Sequence, residues 1–256
     1  MVRRPVAVLA LVAASSALVG CRPHTVSVSF TPEVGDRYTY RYEIEATITR
    51  AVEGSDPEVV QVDTVLLAEQ EVQALTLGGA RIRLVLTREQ GAPRTATVLV
   101  DRAGSLEGIE LVEDLEGAGL GVAGEQGLAP TQVAGPPDRP LAPGDEWVIA
   151  DGAQHGTGRL TQLGVIDGHD VAVVRSTVTE DIDEAGEAGG SGTLVTGALH
   201  SMASTSYDLS DGAVRRSRSR SHGTLQAELA PPPGVNAESV HATIGYDVTV
   251  RVTRTG

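Results

Sequence analysis

Apolar and polar residues alternate with a period of two over most of this chain. Tyr38, Tyr40, Tyr42, Ile44, Ala46 and Ile48 alternate with Thr39, Arg41, Glu43, Glu45, Thr47 and Thr49. Near the C-terminus, Val240, Ala242, Ile244, Tyr246, Val248, Val250 and Val252 do the same against polar or small residues. Successive side chains of a strand point to opposite faces, so this spacing predicts strands with one buried and one solvated side. Ile82, Leu84 and Leu86 form a third case, and Ala96, Val98 and Val100 a fourth. Asp167-Gly168 divides 157–166 from 169–180 as a two-residue hairpin turn. The pattern predicts roughly eleven strands, several of them roughly 12 to 17 residues long, and strands of that length must curl, bulge or close. The expected fold is all-β: a long, strongly curved antiparallel sheet, half-barrel-like or built of two related β halves. One short helix is expected over Ile109–Leu120, where Val112, Leu115 and Leu120 are spaced helically while Gly117, Gly119 and Gly121 weaken it.

The start of the chain has a different pattern. Arg3 and Arg4 precede an apolar stretch from Val6 to Val19, the build of a secretory signal peptide. That stretch is shorter than the roughly 18 to 20 residues a membrane-spanning helix needs. Leu18-Val19-Gly20-Cys21 resembles the bacterial lipobox, and Cys21 is the single cysteine of the chain. The resemblance implies cleavage before Cys21, acylation of that residue and attachment to a membrane on its extracytoplasmic side. Two or three acyl chains, at about 0.8 kcal/mol per buried CH₂, hold a protein on a bilayer where one does not.

The expected organisation is therefore a lipoprotein signal peptide over 1–20, an N-terminal β half over 21–123, a Gly/Pro-rich surface linker over 124–144 and a C-terminal β half over 145–256. Thr31-Pro32-Glu33-Val34-Gly35-Asp36-Arg37-Tyr38 and Leu141-Ala142-Pro143-Gly144-Asp145-Glu146-Trp147 share a proline followed by Gly-Asp-x-aromatic. Each reads as a turn followed by a strand whose first inward residue is a large anchor. The layout resembles β-rich bacterial lipoproteins and, more distantly, the half-open barrels of the LolA and LppX kind, which hold lipids between a curved sheet and covering helices. With at most one helix available, the present chain departs from that cover.

Composition excludes several activities. All 20 basic residues are arginine, so a lysine Schiff base or a phosphate loop with its lysine is ruled out. A single cysteine rules out intramolecular disulfides and cysteine-rich zinc sites. Removing 1–20 would leave 18 bases against 34 acids, a net −16, which nucleic acid and anionic headgroups repel as a whole. No cofactor is expected and no nucleic acid partner.

Candidate chemistry is sparse. Gly189-Gly190-Ser191-Gly192-Thr193 is the nearest approach to a nucleophile elbow, with threonine in place of the last glycine. Glu180, Asp181, Asp183, Glu184 and Glu187 lack the ligand alternation and closing glutamate of a calcium loop, and read as a solvated hairpin. Ser210-Asp211-Gly212 fits a three-residue hairpin loop with glycine left-handed, which pairs residues whose numbers sum to 422. That register puts Arg216, Arg218 and Arg220 in a row on one face, either to hold an anion or to solvate an acidic surface. It also sets His200 opposite His222, a structural pair or a weak metal candidate with Asp247 as a third ligand. A ligand-facing surface is expected at Tyr40, Tyr42, Ile44, Ile244 and Tyr246. The expected function is non-enzymatic: a lipoprotein binding a hydrophobic ligand or envelope partner in the concavity of the sheet. The alternative is a structural or assembly lipoprotein without a pocket.

Overall fold

The structure, a computed structural model, describes residues 24–88, 91–102, 106–110, 135–188, 191–231 and 235–256. The strands are β1 (Arg37–Val52), β2 (Glu58–Leu75), β3 (Gly79–Arg88), β4 (Arg94–Asp101), β5 (Leu106–Glu110), β6 (Glu146–Asp151), β7 (Gln154–Ile166), β8 (His169–Ala188), β9 (Ser191–Asp208), β10 (Val214–Leu229) and β11 (Val240–Arg254). All join one antiparallel sheet in the order β5-β4-β3-β2-β1-β11-β10-β9-β8-β7-β6. The chain walks outward from β1 to β5, jumps to the opposite edge, and walks back from β6 until β11 meets β1. The two β halves thus lie side by side in one sheet and are not stacked face to face.

The predicted hairpins form as their turn residues dictate. Ile166 pairs with His169, and Asp167 and Gly168 have φ of 52° and 83°, the pair of left-handed residues that a tight turn between twisted strands requires. In the β9–β10 hairpin the 422 register holds from Ser206–Arg216 onward, including His200 opposite His222. Nearer the turn it shifts to Tyr207–Val214, and a bulge at Arg215 restores it. The turn is one residue off the expected geometry because Gly212 N–H and Asp208 N–H both bond within it, to Asp208 and Ala213 carbonyls at 2.8 Å.

The two Gly-Asp motifs adopt one geometry. Gly35 and Gly144 have φ of 95° and 101°. Asp36 Oδ2 accepts from Glu33 N–H at 2.7 Å, and Asp145 Oδ2 from Ala142 N–H at 2.9 Å. Gly35 N–H bonds the Val72 carbonyl and Gly144 N–H the Leu160 carbonyl, at 2.9 and 2.7 Å. Val72 and Leu160 return bonds to the Asp36 and Asp145 carbonyls, each at 3.0 Å, and each is followed by a one-residue bulge in its strand. So β1–β3 and β6–β8 repeat turn, pairing and bulge alike, and β11, β10 and β9 lie between the repeats.

The sheet is rolled. Residues 24–36 form a strap across it: Val26 bridges Leu141, Phe30 N–H bonds the Arg102 carbonyl just past β4, and Thr31 N–H bonds the Asp211 carbonyl in the β9–β10 turn. Leu141 packs with Leu160 of β7 and with Ala172 and Val174 of β8. On a flat sheet β4 and β7 would stand about 38 Å apart at the usual ~4.8 Å strand spacing. The four residues from Val26 to Phe30 span at most about 14 Å. The strap therefore closes one end of a curled sheet. Its Val28 and Phe30 join the apolar clusters of both wings, which places those clusters on the same, inner face.

Two expectations need correction. Ile109 and Glu110 lie in β5, paired to Val98 and Thr97, so the helix expected from Ile109 does not begin there; bonds to β4 take the backbone groups a helix would use. Residues 111–120 lie outside the described residues. In the expected surface linker, the described part 135–144 is not superficial: Pro136 is fully buried, Leu141 is 0% exposed and Ala142 8%. Leu141 is drawn inward because its backbone pairs with the strap while its side chain fills the space over β7 and β8. Among the described residues there is no helix.

Candidate functional site

Strand pairing arranges the inner face in transverse rows. Tyr42 lies between Val252 and Leu66, Ile44 between Val250 and Thr64, and Ile48 between Tyr246 and Val60. Ile244 sits opposite Arg50 on one side and Leu225 on the other. All five residues expected to face a ligand thus share one face, at different depths. Tyr40 and Ile44 are sealed in the core near the strap, 6% and 9% exposed. Tyr42 is half-buried beside them, its ring 6.3 Å from that of Tyr40, and burial pushes its hydroxyl pKa up to about 12. Ile244 and Tyr246 stand further toward the open end and are half-buried; burial also raises the Tyr246 pKa. Along β1 and β2 the same alternation runs from Tyr38 at 2% exposure to the Ile48–Val60 pair, where Val60 is 45% exposed.

The other wing supplies the facing part of the inner surface, where the small Ala203 and Ser219 point inward as the hairpin register predicts and Ser176 and Val178 join them from β8. Its rows carry small side chains: Ser176, Ala203 and Ser219 lie side by side, followed by Val178, Ser201 and Ser221. Two hydroxyl pairs close across the strands, Ser201–Ser221 at 2.8 Å and Thr205–Ser217 at 2.9 Å. Gly158 is required beside them because a Cβ there would run into the Trp147 indole, which lies against its backbone. Further up, Ile182 and Leu225 are 5% and 2% exposed on either side of Gly197. Period two is hard to see along β8, where Val174, Val178 and Ile182 are separated by Ser176 and Glu180 on the same face. Glu180 is half-buried there; burial raises its pKa, the Gln154 amide 3.4 Å away opposes the shift, and Glu184 adds to it.

At the strap end a buried ion cluster ties the wings together. Asp208, 2% exposed, accepts from Arg215 Nε at 2.8 Å, from Ser210 N–H at 2.9 Å and from Ser210 Oγ at 2.6 Å. Burial alone would raise its pKa, but the Ser210 and Arg215 bonds outweigh it and bring the carboxyl down to about 2. His169 Nδ1 stands 3.2 Å from the same carboxylate. Arg254 reaches Asp211 at 2.9 Å and lies over the Tyr38 ring at 4.7 Å, joining β11 to the turn and to β1.

The histidines are brought together as expected, their ring centroids 5.7 Å apart. Asp247 is directly opposite His222, which the sequence could only conjecture. Its carboxylate is held by Arg220 at 2.6 and 3.1 Å, which lowers its pKa, and His200 Nδ1 is 3.0 Å from Thr179 Oγ1. Among the described residues no group of three His, Cys, Asp or Glu can hold a metal ion. Of the arginine row, Arg216 forks onto Asp167 at 2.9 and 3.1 Å. The acidic stretch continues in β8 as a strand paired to β9. Ser191 opens β9, while Gly189 and Gly190 lie outside the described residues, as do the leader and Cys21.

No family model matches the chain, and no curated protein does. Among solved structures it is similar to a loop L8 deletion mutant of OmpT, an outer membrane protein of Vibrio cholerae. The identity is 9%, the match covers 86% of this chain and 100% of that one, and the TM-score is 0.21. A likeness at that level assigns this chain no function.

Proposed function

We propose that this chain is a lipid-anchored extracytoplasmic lipoprotein, without enzymatic activity, that binds a hydrophobic ligand in the open part of its concave sheet. Cys21 carries the anchor, and no cofactor takes part. The observation that supports ligand binding is the change in burial along one apolar face. Where the strap crosses, that face is sealed. Beyond it Ile48, Val60, Val62, Ile244 and Tyr246 keep the same inward alternation without being sealed. A large exposed apolar patch is rare on a soluble domain unless something covers it. Small residues on the facing wing leave room for an alkyl chain. Ile44, the last sealed residue of β1 on that face, forms the floor.

Cys21→Ser should leave the membrane-lipid fraction on detergent partitioning, and protein made without residues 1–21 gives the test protein for ligand binding. Mass spectrometry under native extraction should find lipid bound to it, and Ile244→Asp should abolish that lipid while leaving the melting transition in place. Lipid-free protein would overturn the carrier. The second reading, an assembly lipoprotein that docks other envelope proteins, draws on Val59, Leu67 and Val148. These side chains are 57%, 45% and 79% exposed on the opposite face of the sheet. It would be favoured if the protein proved lipid-free and Val148→Asp released a co-purifying partner.

A further inference from the structure

The outer face carries a charge arrangement that the proposed ligand site does not use. Register places Glu146, Arg159, Arg175, Ser204, Arg218, Arg251 and Glu43 in a single transverse row over β6, β7, β8, β9, β10, β11 and β1. Arg159 is directly opposite Arg175, and Arg218 directly opposite Arg251. Like charges in such pairs destabilise a sheet. The ends of the row are neutralised: Arg159 stands 3.6 Å from Glu146, and Arg251 is bound by Glu45. The rows on either side are neutralised as well, through Arg216–Asp167 and Arg220–Asp247. Arg175 and Arg218 alone of these six make no hydrogen bond or ion pair among the described residues. This occurs in a chain with 34 acids to draw on, where a carboxylate at position 204 would satisfy both. Position 204 is serine, small and exposed, with a hydroxyl that can donate.

We propose that Arg175, Ser204 and Arg218 form a binding site for a phosphoryl oxyanion, either free phosphate or the monoester group of a lipid head. The two arginine Cα positions are two strand spacings apart, about 9.6 Å. Both side chains can therefore lean over Ser204 and fork onto one tetrahedral anion, the geometry for which guanidinium is suited. A dianion there offsets the like-charge pairs on both sides of it. An alternating in/out strand places such a site on the side of the sheet away from the apolar ligand, so the two can be occupied independently.

The test titrates the full chain in neutral detergent with inorganic phosphate, against chloride at matched ionic strength, following the Arg Nε–Hε resonances and the melting temperature. Phosphate should shift the Arg175 and Arg218 signals saturably and raise the melting temperature. Arg218→Gln and Arg175→Gln should each weaken that response about tenfold, as expected for the loss of one charge-assisted bond. Without phosphate, Arg218→Gln should melt no lower than the parent, because it removes a repulsion; an arginine with a purely structural role would lower it. Phosphatidylcholine vesicles with and without phosphatidic acid separate the sources, since the Cys21→Ser protein should sediment with the acidic vesicles only if the site reads a lipid head. A phosphate response unchanged in both glutamine variants, or no response to phosphate and to phosphatidic acid alike, would overturn the site.

Discussion

At the end crossed by the strap, Tyr38, Val72, Ile82 and Leu160 are each at most 2% exposed; at the far end of the same face Val60, opposite Ile48, is 45% exposed. Both ends are written in the same alternating pattern. Along β1 and β2 the difference comes from what lies over them, residues 24–36, Leu141 and the β9–β10 turn at one end and no described segment at the other, whereas on the facing wing Ile182 and Leu225 stay buried at the far end as well. Alternation therefore specifies which side of a strand faces inward and leaves open whether that side is covered. The covered end is where folding energy is concentrated, and the uncovered end is where a ligand can contribute it.

Four measurements would break or sharpen this contrast. Leu160→Ala, at a 0% exposed position under Leu141, should lower the unfolding free energy by about 2 to 5 kcal/mol, read from the denaturant midpoint. The Asp208 cluster should make the covered end acid-sensitive. A carboxylate whose folded pKa lies near 2 stabilises fully above its ordinary unfolded value and loses that contribution as pH falls through the folded one. Unfolding free energy should thus drop by about 2 kcal/mol between roughly pH 4 and pH 2, and Asp208→Asn should flatten that slope. Asp36→Ala and Asp145→Ala should each cost about 1 kcal/mol through the lost turn bond, and the double variant should be additive if the repeated turns act independently. Ile48→Ala at the open end should cost no more than about 1 kcal/mol while reducing bound lipid, which would separate binding from stability.

The parts of the molecule legible in the sequence are those governed by neighbours along the chain. The faces of β1 and β11, the Asp167-Gly168 turn and the left-handed Gly212 all follow from local spacing. The His200–His222 pair follows as well, because a hairpin fixes its own register. What was hidden depends on pairs distant in sequence. Val28 and Phe30 look like extended chain leading into β1 until the sheet rolls beneath them, and Leu141 looks like linker until Val26 pairs with it. The arginines illustrate the limit most clearly. Along β10 the sequence shows Arg216, Arg218 and Arg220, two of which the fold neutralises. The row that leaves charge unpaired runs across strands, through Arg175 and Arg218, and only the complete strand order reveals it.

The seam at which Tyr40 pairs with Arg254 has a kinetic consequence. Each meander is assembled from hairpins that can close as soon as their turns exist, but β1 must wait for β11, about two hundred residues further on, before its second edge is paired. Contacts so distant in sequence carry the largest loop-closure cost and form late. Until then β1, with its tyrosines and isoleucines, presents an open apolar edge of the kind that templates aggregation. A chain shortened by the fifteen residues of β11 would keep both meanders and never join them. Its fate would be slow folding and self-association, so the C-terminal strand sets how fast, and how safely, this protein reaches its native state.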